Sequence, residues 1–193
     1  MSPLTELIGG AKAYGWGSLS DAGDFESIAT TTVGSGGTAT VTFSSIPATF
    51  THLQLRGITR SSNSGSGSVG LLMTYNSDTG ANYTIHALEG DGSTASSGGF
   101  ASQNSGDMIE MPRAGVTASV FGGFVCDILD YANTNKYKTF RSLEGFDANG
   151  SGKVGLFSSV WMNTNAITSI GLTQTTGSLV EYSSFALYGI RSA

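Results

Sequence analysis

FVCDILDYANTNKYKTFRSLEGF, residues 124–146, is the most rule-bound run in a chain otherwise loosened by Gly, Ser and Thr. Two segments rich in β-branched and aromatic residues flank Ala132-Asn133-Thr134-Asn135, whose two Asn tolerate the left-handed backbone that a turn requires. The run therefore reads as a long β-hairpin. With the turn centred on Thr134, Asp127 falls opposite Arg141, Asp130 opposite Lys138 and Tyr131 opposite Tyr137. Each such cross-strand pair contributes roughly 0.2–1 kcal/mol, and a shift of one residue destroys all three.

Outward from the hairpin, the same two-residue period recurs along the chain. Residues 25–33 form a first strand and Gly34-Ser35-Gly36-Gly37 a turn. Residues 38–43 then alternate, with Ala39, Val41 and Phe43 on one face and Thr38, Thr40 and Thr42 on the other. The pattern continues through Leu53 and Leu55, through Val69, Leu71, Met73 and Tyr75, and through Tyr83, Ile85 and Ala87. Residues 61–68 read as a mobile loop of Ser, Gly and Asn, and residues 90–106, poor in apolar side chains, as a long surface loop. Met108, Ile109 and Met111 resume some order before Pro112 breaks it. After the hairpin come a tight turn at 147–152 and strands at 154–162, 166–172 and 180–190. No segment carries a convincing 3.6-residue period, so about eleven strands predict an all-β fold, two packed antiparallel sheets of jelly-roll type.

Residues 1–23 are a separate compositional unit in which Leu4, Leu7, Ile8, Tyr14 and Trp16 are set among Gly. They are too few to build a core and read as an extended N-terminal arm that becomes ordered by docking on a partner. The expected organisation is a docking arm over 1–23 and a β-sandwich domain over 24–193.

At 193 residues the chain is long enough to bury a substantial core in one domain. Only 12% of residues are charged while the mean hydropathy is +0.03, so solubility must come from hydroxyls and the 28 Gly. The net charge of −5 and pI near 4.8 argue against a primary role on nucleic acid or an anionic membrane. The single Cys126, in an apolar strand, excludes an internal disulfide and reads as a buried packing thiol. The N-terminus lacks a basic, then apolar, secretory pattern, and no apolar run approaches the ~20 residues of a membrane span. The expectation is a soluble protein made in a cytosol.

The chemistry-bearing motifs resolve into plainer readings. Gly65-Ser66-Gly67-Ser68-Val69-Gly70 matches the dinucleotide pattern but opens a strand, where that fingerprint needs a following helix. Asp147-Ala148-Asn149-Gly150-Ser151-Gly152 resembles half a calcium loop, yet its twelfth position is Ser158 in place of the bidentate Glu. Asn-Gly also makes a hairpin turn without any ion. His52 and His86 alternate with apolar neighbours and should project from polar faces, and no G-x-S-x-G elbow presents a serine. Asp127 with Asp130, or Glu144 with Asp147, could serve as glycosidase carboxylates, although the opposed Arg141 and Lys138 favour ion pairs. No catalytic residue, cofactor or metal site is therefore expected. Tyr131, Lys136, Tyr137 and Lys138 gather near the hairpin tip as candidate surface-binding residues for a sugar or polar polymer, against the plainer reading of a solvated end. Trp161, with Asn163 and Asn165, could act likewise or belong to the core.

Several runs together resemble a group of tailed-phage virion proteins seen especially in marine and cyanobacterial phages: FESIATTTVGSGG (25–37), TFSSIPATFTHLQLRG (42–57), NSDTGANY (76–83), DILDYANTNKYKTFRSL (127–143), WMNTNAITSI (161–170) and SSFALYGI (183–190). The start IGGAKAYGWGS (8–18) is similar to the N-terminal arm such proteins carry. The resemblance implies a non-enzymatic virion structural protein, a surface-displayed β-sandwich anchored to the particle by its arm, as a capsid decoration or head fibre. The alternative it leaves open is a tail fibre or adhesin binding host envelope carbohydrate. The implied partners are other capsid or tail subunits and further copies of the chain itself, by analogy a homotrimer in which several arms add avidity. The implied location is the virion.

Overall fold

The computed structural model describes residues 24–191, and every regular element among them is a strand. In chain order these are β1 Phe25–Thr32, β2 Thr40–Phe43, β3 His52–Thr59, β4 Ser68–Tyr75, β5 Tyr83–Gly90, β6 Ala95–Gln103, β7 Gly106–Pro112, β8 Gly122–Ile128, β9 Lys138–Asp147, β10 Gly152–Trp161, β11 Ile170–Gln174 and β12 Ser184–Ile190. They form an eight-stranded sheet in the order β1-β12-β3-β8-β9-β10-β5-β6 and a four-stranded sheet in the order β2-β11-β4-β7, and all their pairings are antiparallel. This is the expected all-β sandwich. The division into eight and four strands differs from an eight-stranded jelly roll, and the order does not establish that winding. The arm residues Leu4, Leu7, Ile8, Tyr14 and Trp16 lie outside the described residues.

Alternation drives the packing. Val69, Leu71, Met73 and Tyr75 of β4 are buried against Leu53 and Leu55 of β3, Cys126 and Ile128 of β8, and Phe140 of β9 in one continuous core. Burial pushes the Cys126 thiol far up, as suits a packing group. Tyr75, Tyr83, Phe140 and Trp161 form a ring cluster with centroids 5.2–6.4 Å apart. Trp161 therefore belongs to the core, its indole N–H donating to Asp78 Oδ2 at 2.8 Å.

The hairpin is β8 and β9, and its register is the expected one. Asp127 pairs with Arg141, and the Leu129 N–H donates to the Thr139 carbonyl at 3.0 Å in the same frame. Beyond Leu129 the expected pairings fail. Asp130 sits at φ 48°, a left-handed conformation that carries the chain off the ladder. Neither Asp130–Lys138 nor Tyr131–Tyr137 forms as a cross-strand pair.

The expected loop at 90–106 contains β6, which raises the strand count to twelve. β6 is an edge strand, exposed on both faces and held to β5 by backbone pairing, so no side-chain alternation was needed to place it. Between β7 and β8 the chain wraps Arg60, whose guanidinium donates to the carbonyls of Ala114, Val116, Thr117 and Val120 at 2.6–3.0 Å. That clamp fixes one wall of the cleft described next.

Candidate functional site

Two regions concentrate polar side chains: the β8–β9 hairpin tip, and the opposite end of the sandwich where the β5–β6 and β9–β10 turns meet.

At the tip, the four residues expected to share a surface divide between inside and outside. Tyr131 is fully buried, its hydroxyl donating to the Pro47 carbonyl and accepting from the Phe50 N–H at 3.4 Å. Lys138 is also fully buried. It shares inward parity with Phe140 and Ser142, and its ammonium donates to the carbonyls of Asn133, Lys136 and Thr164 at 2.5, 2.8 and 3.0 Å. Burial holds its pKa below the usual lysine value, against the pull of Asp130. Neither residue can meet a ligand on the surface. Lys136 remains outside and takes the partner expected of Lys138, pairing with Asp130 at 2.6 Å, while His52 Nδ1 lies 3.7 Å from the other carboxylate oxygen. The Lys136 contact comes first among the causes that lower the Asp130 pKa. Tyr137 is 56% exposed and is the one aromatic ring of the four that a ligand could reach.

The carboxylate pairs weighed for glycoside chemistry are separated by the fold. Asp127 accepts from Gln54 Nε2 at 2.7 Å, while Asp130 belongs to the tip. Glu144 is buried, whereas Asp147 is exposed and accepts from the Asn149 N–H at 2.7 Å within its turn. That turn, the half calcium loop of the sequence, closes by Ala148 N–H to Ser151 carbonyl at 2.7 Å with Asn149 and Gly150 both at positive φ. Those are the features of a type I′ hairpin turn. The Gly65–Gly70 motif likewise opens β4, and His86 is exposed as expected.

Sequence reasoning missed a charged cluster at the far end. On the inner face of the large sheet, register places Glu144 of β9, Gly155 of β10 and Glu89 of β5 side by side, while Glu110 arrives from β7 of the small sheet. Lys153 Nζ lies 2.6 Å from Glu89 and 3.6 Å from Glu110. Glu144 is only 3% exposed, and neither carboxylate oxygen completes a well-formed hydrogen bond. Burial, then Glu110 and Glu89, push its pKa up to about 8 against the pull of Lys153. Gly155 makes room for this carboxyl, since a Cβ there would collide with Glu144 Oε1. The signal was present in the sequence: Lys138 and Glu144 share the even-numbered parity of Phe140, so both had to point inward.

Beside the cluster lies an open cleft of about 550 Å³ lined by Ser68, Glu89, Asp91, Thr94, Ser96 and Lys153 together with Phe146 and the Arg60-clamped residues 115–117. Hydrogen bonds from Ser93 and Thr94 hold the Asp91 carboxyl down at about 2. The cleft offers charged acceptors, hydroxyls, one ammonium and one aromatic ring, the groups that bind a polyhydroxylated molecule. Among the described residues no group of three His, Cys, Asp or Glu is arranged to hold a metal ion. No family model matches the chain, and no curated protein matches it either.

Proposed function

We propose that this protein is a non-enzymatic structural component of a tailed-phage virion, a β-sandwich displayed on the particle and held there by its N-terminal arm, as a capsid decoration or head fibre. One observation carries the division of labour. The continuous core draws its residues from Val33 to Leu187, and β1 enters at an edge of the large sheet immediately after the segment 1–23. A segment attached at a sheet edge can engage a partner while the core beside it stays intact. The resemblance of the runs between residues 25 and 190 to virion proteins supports the same reading. Removal of residues 1–20 is expected to leave a soluble β domain that no longer joins particles. Normal incorporation of the truncated protein would overturn the anchoring role.

A second reading has its own observation. The polar cleft between the β5–β6 and β9–β10 turns suits a tail adhesin that binds host envelope carbohydrate, with Asp91 and Lys153 as hydrogen-bonding groups and Phe146 as a stacking ring. Titration of the purified domain with host lipopolysaccharide or capsule tests it, with loss of binding in Asp91→Ala as the expected result. Absence of binding by the unmodified domain would remove this reading and leave the structural role untouched.

A further inference from the structure

The cleft between the β5–β6 and β9–β10 turns has a sign of charge as well as a shape. Register fixes its floor at the end of the large sheet, where Phe146 of β9 is opposite Lys153 of β10 and Glu89 of β5 is opposite Ser96 of β6. A second open hollow, of about 590 Å³, shares Asp91, Phe146 and Lys153 with the cleft and adds Asp147. Each has the size usual for ligand clefts, roughly 300–1,000 Å³, and together they form one polar groove.

The groove is acidic. Lys153 is the one basic residue among those that line either hollow, against Glu89, Asp91 and Asp147. Its ammonium is already engaged, 2.6 Å from Glu89 and 3.6 Å from Glu110. Arg60, behind the wall, gives its guanidinium to the carbonyls of Ala114, Val116, Thr117 and Val120. Asp91 has no such counter-ion, since among the described residues no cation lies within ion-pair distance of it. Its three donors, from Ser93 and Thr94, all meet Oδ1, which fixes the exposed carboxylate and leaves Oδ2 open. Those bonds hold its pKa down at about 2, so the charge is present at any working pH. A cleft lined by one sign of charge concentrates ligands of the other and repels its own. A sugar acid would therefore meet carboxylates without a free cation, whereas an ammonium on a sugar ring offers a partner to Asp91 Oδ2 and the ring itself one to Phe146.

We infer that this groove selects a glycan bearing free amino groups, a cationic hexosamine, and that Asp91 is the residue that reads its charge. The inference rests on the reading of the cleft as a carbohydrate site and adds the class of sugar. The test is calorimetric titration of the full-length chain at pH 6 with three trisaccharides, of glucosamine, of N-acetylglucosamine and of galacturonate. The glucosamine trimer is expected to bind about fivefold more tightly than its N-acetylated form, the scale of one exposed ion pair, and the galacturonate trimer most weakly. Asp91→Asn, which keeps the shape of the side chain and its Oδ1 acceptor, should erase that preference without removing N-acetylglucosamine binding. Asp127→Asn, the same loss of charge outside the groove, should leave the preference intact. Equal affinity for the first two trimers, or a preference for galacturonate, would overturn the inference and leave the carbohydrate reading in place, as would binding of host lipopolysaccharide or capsule with none of the trimers bound. An equal loss of preference in Asp127→Asn would assign it to the net charge of −5 and overturn the inference as well. Absence of binding to all three trimers and to both host glycans would remove the carbohydrate reading, and the inference with it.

Discussion

Lys138 and Glu144 stand near opposite ends of β9, both turned into the sandwich and both stripped of most of their water, yet the fold treats them in opposite ways. Lys138 donates to three carbonyls, those of Asn133, Lys136 and Thr164. Glu144 completes no such bond and has two further carboxylates near it, so burial and those neighbours push its pKa up to about 8. A buried charge that meets its partners acts as a fastener. One that does not becomes a dependence on pH.

The largest effect is expected where the fastener is cut. Lys138→Met keeps the length of the side chain and removes the ammonium that ties the carbonyls of Asn133, Lys136 and Thr164 together. A loss of about 3 kcal/mol in urea unfolding is expected, together with faster proteolysis at the hairpin tip. A neutral result would erase the contrast between the two ends.

Glu144→Gln tests the other half. A carboxyl whose folded pKa is raised to about 8 from its ordinary value near 4.5 holds its proton more tightly in the native state, so native stability falls as pH rises through that interval and levels off above it. The amide cannot ionise. The variant should match the wild type at pH 4 and exceed it by about 2 kcal/mol at pH 9, the full shift being discounted for relaxation of the site and for the compensating charge of Lys153. Parallel stability curves for the two proteins between pH 4 and pH 9 would show that Glu144 is not protonated in the native state.

A smaller effect belongs to the anchor between the tip and the core. Tyr131→Phe preserves the buried ring and removes the hydroxyl that joins Pro47 to Phe50. About 1 kcal/mol should be lost. Because this anchor is separate from the Lys138 contacts, the double variant should lose roughly the sum of the two, measured by the same urea titration.

The strand alternation and the turn chemistry were legible in the sequence because both are local. They gave the sheet class, the Asp127–Arg141 register and the inward Val69-to-Tyr75 stripe. β6 was not legible, since Ala95–Gln103 is exposed on both faces and backbone pairing leaves no trace in side-chain pattern. The tip was misassigned for a different reason. Charge type suggested Asp130 with Lys138, but strand parity, fixed by Phe140, sends Lys138 inward whatever its charge, and Asp130 leaves the ladder at positive φ to meet Lys136. The Glu89, Glu110, Glu144 and Lys153 cluster joins strands from two sheets. Only the tertiary fold brings those residues together.

The least effect is expected at Tyr137, and its smallness is informative. The ring is 56% exposed and lies on the solvent side of a tip whose order comes from Lys138 and Tyr131 beneath it. Tyr137→Ala should therefore change stability by less than about 0.5 kcal/mol. The variant then separates two properties that Lys138→Met confounds, because it alters what the tip presents while leaving the tip in place. If Tyr137→Ala weakens attachment to particles or to host glycan without moving the urea midpoint, the tip is a contact surface built over a rigid base. If instead the midpoint shifts as far as in Tyr131→Phe, the exposed ring supports the tip from outside, and the division into a buried fastener and a free surface fails at this end of β9.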